Sequence, residues 1–355
     1  VYEVKMQENK VARIKNTLIS ICLVFIIGAV CMMLIGYNPA EAYRELLKGM
    51  FAGSLNMGTT LEKFTPVILT GLAFVVSMKA GFMNMGVEGQ LSLGAITAAW
   101  LGIELQGIFP GTVVTLICIV AGGLAGAAWS LIPALLRVYL NANEICTTIL
   151  LNYVATLFTT YLCLYPLYGQ EAVAQTAKID NEILLSYFLK PSKANSGIVI
   201  ALILLVCFAL FYKKTRLGFL IKSVGDNPGF SECIGINTKK YMIIAVLFSG
   251  MLGGIAGSIE ILGVYTRFIN GFSNNIALYG MLAALISGGS FLALPLYSFL
   301  IAALKAGALG MERFTGLPDS LIDILIVLFI LFVTMNGLFE FRTFRRKNRK
   351  EEAKE

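Results

Sequence analysis

Residues 112–136 read TVVTLICIVAGGLAGAAWSLIPALL, 25 positions without a charged side chain. A helix needs about 20 such positions to cross the hydrocarbon core of a bilayer. Similar apolar runs fall at 17–36, 64–80, 90–103, 144–167, 197–212, 241–263, 274–287, 293–310 and 319–338, which predicts ten transmembrane helices. Composition agrees: 57% of the 355 residues are hydrophobic, 14% are charged and mean hydropathy is +0.78, against roughly 25% charged residues in soluble domains. The predicted fold class is all-α and polytopic, with residues 1–355 as a single transmembrane domain. The run at 17–36 is too long for a signal-peptide core and reads as a retained first helix.

Charge sets the orientation. The net charge is +7, but the basic residues crowd into a few segments, so positive-inside sorting explains them without nucleic acid. Placing the amino terminus inside and alternating ten spans puts five segments on the cytoplasmic face: tail 1–16, Lys79, Arg137, loop 213–240 and tail 340–355. Together they hold 19 of the 28 lysines and arginines. Both termini are therefore expected to be cytoplasmic. Runs 90–103 and 274–287 are short and rich in small residues, which suggests broken or re-entrant ends. Glycines spaced four apart, Gly122/Gly126, Gly250/Gly254 and Gly253/Gly257, with Ala306/Gly310, predict close helix packing within the chain. Residues 37–63 carry Tyr43, Leu46, Leu47 and Met50 at helical spacing, as expected of an amphipathic segment outside the membrane.

Several chemistries are excluded. There is no histidine, so Ser-His and Cys-His catalysis is ruled out. The seven cysteines form no CxxC pair and indicate no metal site. No GxxxxGK[ST] loop, TVGYG filter or arginine ladder occurs. Charges within the apolar runs sit near their ends: Lys79, Glu144, Glu260 and Asp323 read as interfacial. Lys305 is the most interior, either a pore residue or one paired with Glu312. Energy for transport must then come from another chain, and loop 213–240 is the surface for it to grip. There Gly225-Asp226-Asn227-Pro228 sets an Asx cap before a proline, the usual opening of a short helix. The tetrapeptides Gly81-Phe82-Met83-Asn84 and Gly271-Phe272-Ser273-Asn274 echo each other. In the ten-span order they fall on opposite faces, as an inverted repeat would place them.

Three stretches resemble the permease subunits of ABC importers of the branched-chain amino acid, monosaccharide and nucleoside type: Gly81-Phe-Met-Asn-Met-Gly-Val-Glu-Gly-Gln90, Asn143-Glu-Ile-Cys-Thr-Thr-Ile-Leu-Leu-Asn-Tyr-Val154, and Thr215-Arg-Leu-Gly218 with Val224-Gly-Asp-Asn-Pro228. Gly235-Ile236 and Gly316-Leu-Pro318 also fit. Glu88-Gly89-Gln90 and Asn143-Glu144 look most like the nucleoside branch. Phe230-Ser231-Glu232-Cys233 departs from the alanines common in relatives.

The resemblance implies a type II ABC importer-like permease in the cytoplasmic membrane that imports nucleosides, probably purine nucleosides in the sense that the branch favours them, with simple-sugar import by the same architecture as the alternative. A partner-free channel is a third reading. The chain would be no enzyme and would bind no cofactor, ATP and Mg being used by a partner. Its implied partners are an ATP-binding subunit, a second homologous permease, an extracellular substrate-binding lipoprotein and membrane lipid. Candidate path residues are Asn84, Glu88, Gln90, Asn274 and Asn275 on broken span ends, with the rings of Phe82 and Phe272. Candidate coupling residues are Gly225, Asp226, Asn227, Pro228, Phe230, Glu232 and Gly235.

Overall fold

The computed structural model describes residues 25–169, 174–316, 323–324 and 327–328. In chain order the helices are α1 (Phe25–Ile35), α2 (Pro39–Phe51), α3 (Gly53–Met78), α4 (Val87–Leu105), α5 (Gly111–Leu140) and α6 (Glu144–Leu164), then α7 (Gly197–Lys214), α8 (Arg216–Asp226), α9 (Pro228–Cys233), α10 (Thr238–Glu260), α11 (Ile276–Ile286) and α12 (Leu294–Thr315). A π turn, Ile261–Tyr265, extends α10. The small antiparallel pair β1 (Tyr187–Leu189) and β2 (Ala194–Asn195) lies between α6 and α7.

The all-α membrane expectation holds. Among the described residues α3, α5, α6, α7, α10 with its π turn, and α12 are long and apolar enough to cross a bilayer, while α1 and α11 are shorter apolar helices. α4 has the length, but Glu88, Gln90 and Glu104 lower its hydropathy. The expected run 319–338 and the tails 1–16 and 340–355 lie outside the described residues, apart from 323–324 and 327–328. One boundary is corrected: α3 begins at Gly53, eleven residues before the apolar run, so the segment 37–63 is not one amphipathic helix but α2 plus the opening of α3. On α2 the buried positions are Ala42, Leu46, Gly49 and Met50, and Leu47 is exposed.

The described residues fall into two compact units. The first, Gly53–Ala303, is held by a junction of α4, α5 and α10. Gly94, Gly122, Gly126, Gly250 and Gly254 lie so close that a Cβ on any of them would overlap a neighbour's backbone. In lipid, removing side chains is what lets helix backbones gain dispersion contact. Ser258 of α10 donates to the Gly254 carbonyl at 3.0 Å and reaches the Gly94 and Cys118 carbonyls at 3.3 and 3.4 Å. The glycine spacings on α5 and α10 thus pack helices of one chain, as the sequence suggested.

The second unit combines the residues before Gly53 with those from Leu304 onward. Here a Cβ on Gly49 would stand 3.0 Å from the Cα atoms of Gly307 and Gly310. The Tyr43 hydroxyl donates to the Phe25 carbonyl at 2.7 Å. Lys305 pairs with Asp323, not with Glu312 and not alone in a pore. The anion comes from 18 positions on rather than from the next helical turns.

Within Gly53–Ala303 the two faces can be told apart by what touches each helix end. α3 starts beside the β hairpin, where a Cβ on Gly58 would overlap Ser192, and ends at Lys79 against Gly225 of α8. α10 starts next to α9 and ends with Gly263 against Asn195 of the hairpin. The echo segments therefore occupy equivalent places at opposite faces. Gly81 and Gly271 both take positive φ, 74° and 78°, which glycine alone adopts without strain. Each is followed by a buried phenylalanine. The flanking helices exchange partners, α3 packing on α11 and α4 on α10, as an inverted repeat requires.

Candidate functional site

After Gly81 the chain turns back into the protein before α4 begins. Phe82 anchors the turn in a buried cluster with Ala134 of α5 and Val246 of α10. Asn84 is fully buried and uses its whole amide. Its Nδ2 donates to Gln90 Oε1 at 3.0 Å and to Ser249 Oγ at 2.8 Å. Its Oδ1 accepts from Gln90 Nε2 and from the Gly86 amide, both at 3.1 Å. Ser249 is the twelfth residue of α10, roughly 17 Å along that helix at 1.5 Å per residue. The non-helical segment thus lies at middle depth, where irregular backbone is tolerated only if protein satisfies it. Asn152 of α6 completes the job, accepting from the Gly89 amide at 2.9 Å and donating to the Met85 carbonyl at 2.8 Å.

Glu88 then reaches across to α11. Its carboxylate accepts from the Ala277 amide at 3.0 Å and hydrogen-bonds the Ser273 hydroxyl. The N-cap position of α11 is Asn275, whose side chain makes no capping bond. Glu88 therefore caps α11 from another helix. It is also the second residue of α4, so one carboxylate faces the amino-terminal dipoles of two equivalent half-helices. Asn274 and Asn275 lie beside it, both exposed and both left-handed at φ 39° and 63°. Phe272 packs edge-on to Tyr265 and Phe268, with centroids 5.5 and 5.4 Å apart.

The structure brings together Asn84, Glu88 and Gln90, and through Glu88 the start of α11. It changes several readings. Asn84, Gln90 and Phe82 are sealed inside and hold the broken helix in place, and Phe272 is packing; of the expected path residues, Glu88, Asn274 and Asn275 have exposed surface. Glu260, read as interfacial, is only 2% exposed, because Lys63, with Glu62 and Lys193 nearby, surrounds it with charge. Glu144 stays at its helix start and pairs with Arg137 at 3.1 Å. Asn152 and Ser249 were not singled out. An isolated carboxamide in an apolar run was the available signal for Asn152; Ser249 offered none.

The loop between α7 and α10 is two helices. Thr215 caps α8 through the Gly218 amide at 3.0 Å, and Asn227 caps α9 through the Phe230 amide at 3.0 Å, with Pro228 in the first turn. Ser231 donates to the Ser223 carbonyl, and Glu232 accepts from Thr238 at 2.6 Å, tying α9 to α8 and to α10. Gly235 turns the chain at φ 82°. Phe219, Phe230 and Ile234 are left exposed. Gly225 rests on the backbone of Lys79 and Gly81. Burial and the Lys222 ammonium lower the Lys79 pKa, against the pull of Asp226.

Residues 56–334 match the family described as branched-chain amino acid transport system, permease component. The chain is 31% identical over 343 residues to the nucleoside ABC transporter permease protein NupB of Lactococcus lactis, covering 94% of this chain and 93% of that protein. It is 32% identical over 330 residues to the guanosine ABC transporter permease protein NupP of Bacillus subtilis, covering 91% and 94%. With the glucose ABC transporter permease protein TsgB13 of Haloferax volcanii it shares 28% identity over 325 residues, 88% of this chain and 85% of that one.

Proposed function

The chain belongs to the branched-chain amino acid transport system permease family, and from that membership we propose that it is the membrane subunit of an ATP-driven nucleoside importer. The observation that carries the reading is the end-to-end likeness to a nucleoside and a guanosine permease, over nine-tenths of each chain. On this reading the chain sits in the cytoplasmic membrane with both termini inside. It pairs with a second permease, receives solute from an extracellular binding lipoprotein, and leaves ATP and Mg to an ATP-binding subunit.

The α8–α9 loop is the surface offered to that subunit, with Phe219, Phe230 and Ile234 as apolar anchors that would otherwise face water. ATP-driven closure of the partner pushes α8. Gly225 passes the push to Lys79 and Gly81, at the head of the segment that holds Glu88 against α11. Alternating access then follows from a shift between two packings of these half-helices.

The test is uptake of labelled guanosine and labelled ribose by cells with and without the chain. Loss of guanosine uptake alone is expected. Loss of ribose uptake alone would move the assignment to sugars, a reading favoured by the glucose permease relative. Purification should bring down an ATPase, and Asp226→Lys should weaken that association; a partnerless protein that passes solute in liposomes would refute the ATP-driven reading.

A further inference from the structure

α6 is the most exposed of the helices long enough to cross a membrane. One face, Thr148, Ala155, Thr159 and Cys163, is buried. The opposite face, with Leu150, Leu157 and Tyr161, is apolar and exposed. Between them runs a third strip that neither packing nor lipid explains: Asn152, Thr156 and Thr160, four residues apart and therefore stacked on one edge of the helix. It climbs about 12 Å, from the middle-depth start of α4, where Asn152 holds Gly89, toward the hairpin face, where the Thr160 hydroxyl donates to Asn270 Oδ1 at 3.0 Å.

Thr156 donates to the Asn152 carbonyl at 2.9 Å and Thr160 to the Thr156 carbonyl at 2.6 Å. Their protons are spent inward, and their oxygens remain as acceptors facing out. Thr156 and Asn270 are exposed, and Tyr153 lies beside the strip with 68% of its surface open. Exposed carboxamides do not face hydrocarbon without a penalty, so this edge looks onto water.

We infer that the α6 edge Asn152–Thr156–Thr160, with Tyr153 alongside and Asn270 at its outer end, is a solute-contacting surface leading from the hairpin face to the broken helices at middle depth. The solute class it suits is neutral, rich in hydroxyls and carrying a planar ring: hydroxyls and ring N–H groups meet the threonine and asparagine oxygens, and the ring lies on Tyr153. This rests on the nucleoside reading for the identity of the solute, though not for the location of the surface.

The test uses the assembled transporter in membrane vesicles, with all seven native cysteines replaced and Thr156→Cys introduced. A membrane-impermeant cationic methanethiosulfonate should modify it. Guanosine at about ten times its dissociation constant should slow that reaction roughly tenfold, as occupied sites are shielded. Leu157→Cys, on the apolar face, should not react. Tyr153→Cys is the second position, should Thr156→Cys fail to assemble. Modification unaffected by either guanosine or ribose would overturn the assignment. So would reaction only with a lipid-soluble maleimide, which makes the edge lipid-facing, or no reaction at all, which makes it a sealed permease–permease interface. Protection by ribose and not guanosine keeps the surface and refutes the nucleoside reading.

Discussion

Replacing Asn84 with leucine should reveal which residue of the buried amide pair is the keystone. Asn84→Leu removes four hydrogen bonds and leaves both ends of the Gln90 amide and the Gly86 N–H without partners. A buried group left unpaired costs about 1–3 kcal/mol, so with partial relaxation the variant should lose about 3–5 kcal/mol. Gln90→Leu is different. Asn84 then keeps Ser249 on its Nδ2 and the Gly86 amide on its Oδ1, and the loss is only the net value of two hydrogen bonds, about 1–3 kcal/mol. The double variant orphans only Gly86, and should be more stable than Asn84→Leu by about 1–2 kcal/mol. Reversible unfolding in mixed detergent–SDS micelles, followed by circular dichroism, measures all three. If the single losses are equal, or the double loss is their sum, Asn84 does not organise the segment as described.

Glu88→Ala should raise amide exchange in the first turn of α11 about tenfold, from a lost cap worth about 1–2 kcal/mol; Glu88→Gln, which keeps an acceptor for Ala277 but not the charge, should raise it less, by the charge–dipole part of about 0.3–1 kcal/mol. Exchange mass spectrometry over 273–280 reads both, and no difference between Glu88→Ala and the parent refutes the capping role. Gly254→Val drives a side chain into the Gly122 carbonyl, an overpacking of about 1–3 kcal/mol or more, and should abolish monodisperse protein in detergent, whereas Gly235→Ala, with nothing near its missing Cβ, should cost only the local strain of its positive φ. Gly225→Val collides with the Lys79 carbonyl, and should lower solute moved per ATP while ATP hydrolysis continues; a parallel fall in both would place Gly225 in assembly rather than coupling.

The apolar runs between 25 and 310 all became helices because hydrophobic length is a local property that survives any arrangement of neighbours. Local chemistry also announced the cap at Asn227 and the glycine turns at 81 and 271. What sequence hid was pairing at a distance. Ser249 lies 165 residues from Asn84, and Ala277 lies 189 from Glu88. Glu260 looked interfacial because it ends an apolar run, and its burial depends on Lys63, far away on α3. The early start of α3 was missed for a related reason. Asn56, Thr59, Thr60, Glu62 and Lys63 read as an exterior segment, but Thr59 returns its proton to the Leu55 carbonyl and Thr60 is buried, so the polarity is absorbed within the fold.

The segment 79–90 joins these local and distant features into one lever. At one end it lies under Gly225 of α8; at the other, Glu88 holds the first turn of α11. Between them Asn84 and Phe82 fasten it to α10 through Ser249 and Val246. A push on α8 cannot slide the segment along α10 without breaking the buried amide pair, so segment and α10 must move together. α10 is in turn bound to α4 and α5 through the glycine junction, where there is no side chain to compress. The links in this set that can exchange cheaply are those on the exposed side: the single carboxylate bridge to α11, and the two left-handed asparagines that follow Ser273. A rigid assembly fastened everywhere except at one charged cap has one place to open, and in this chain that place adjoins the polar edge of α6.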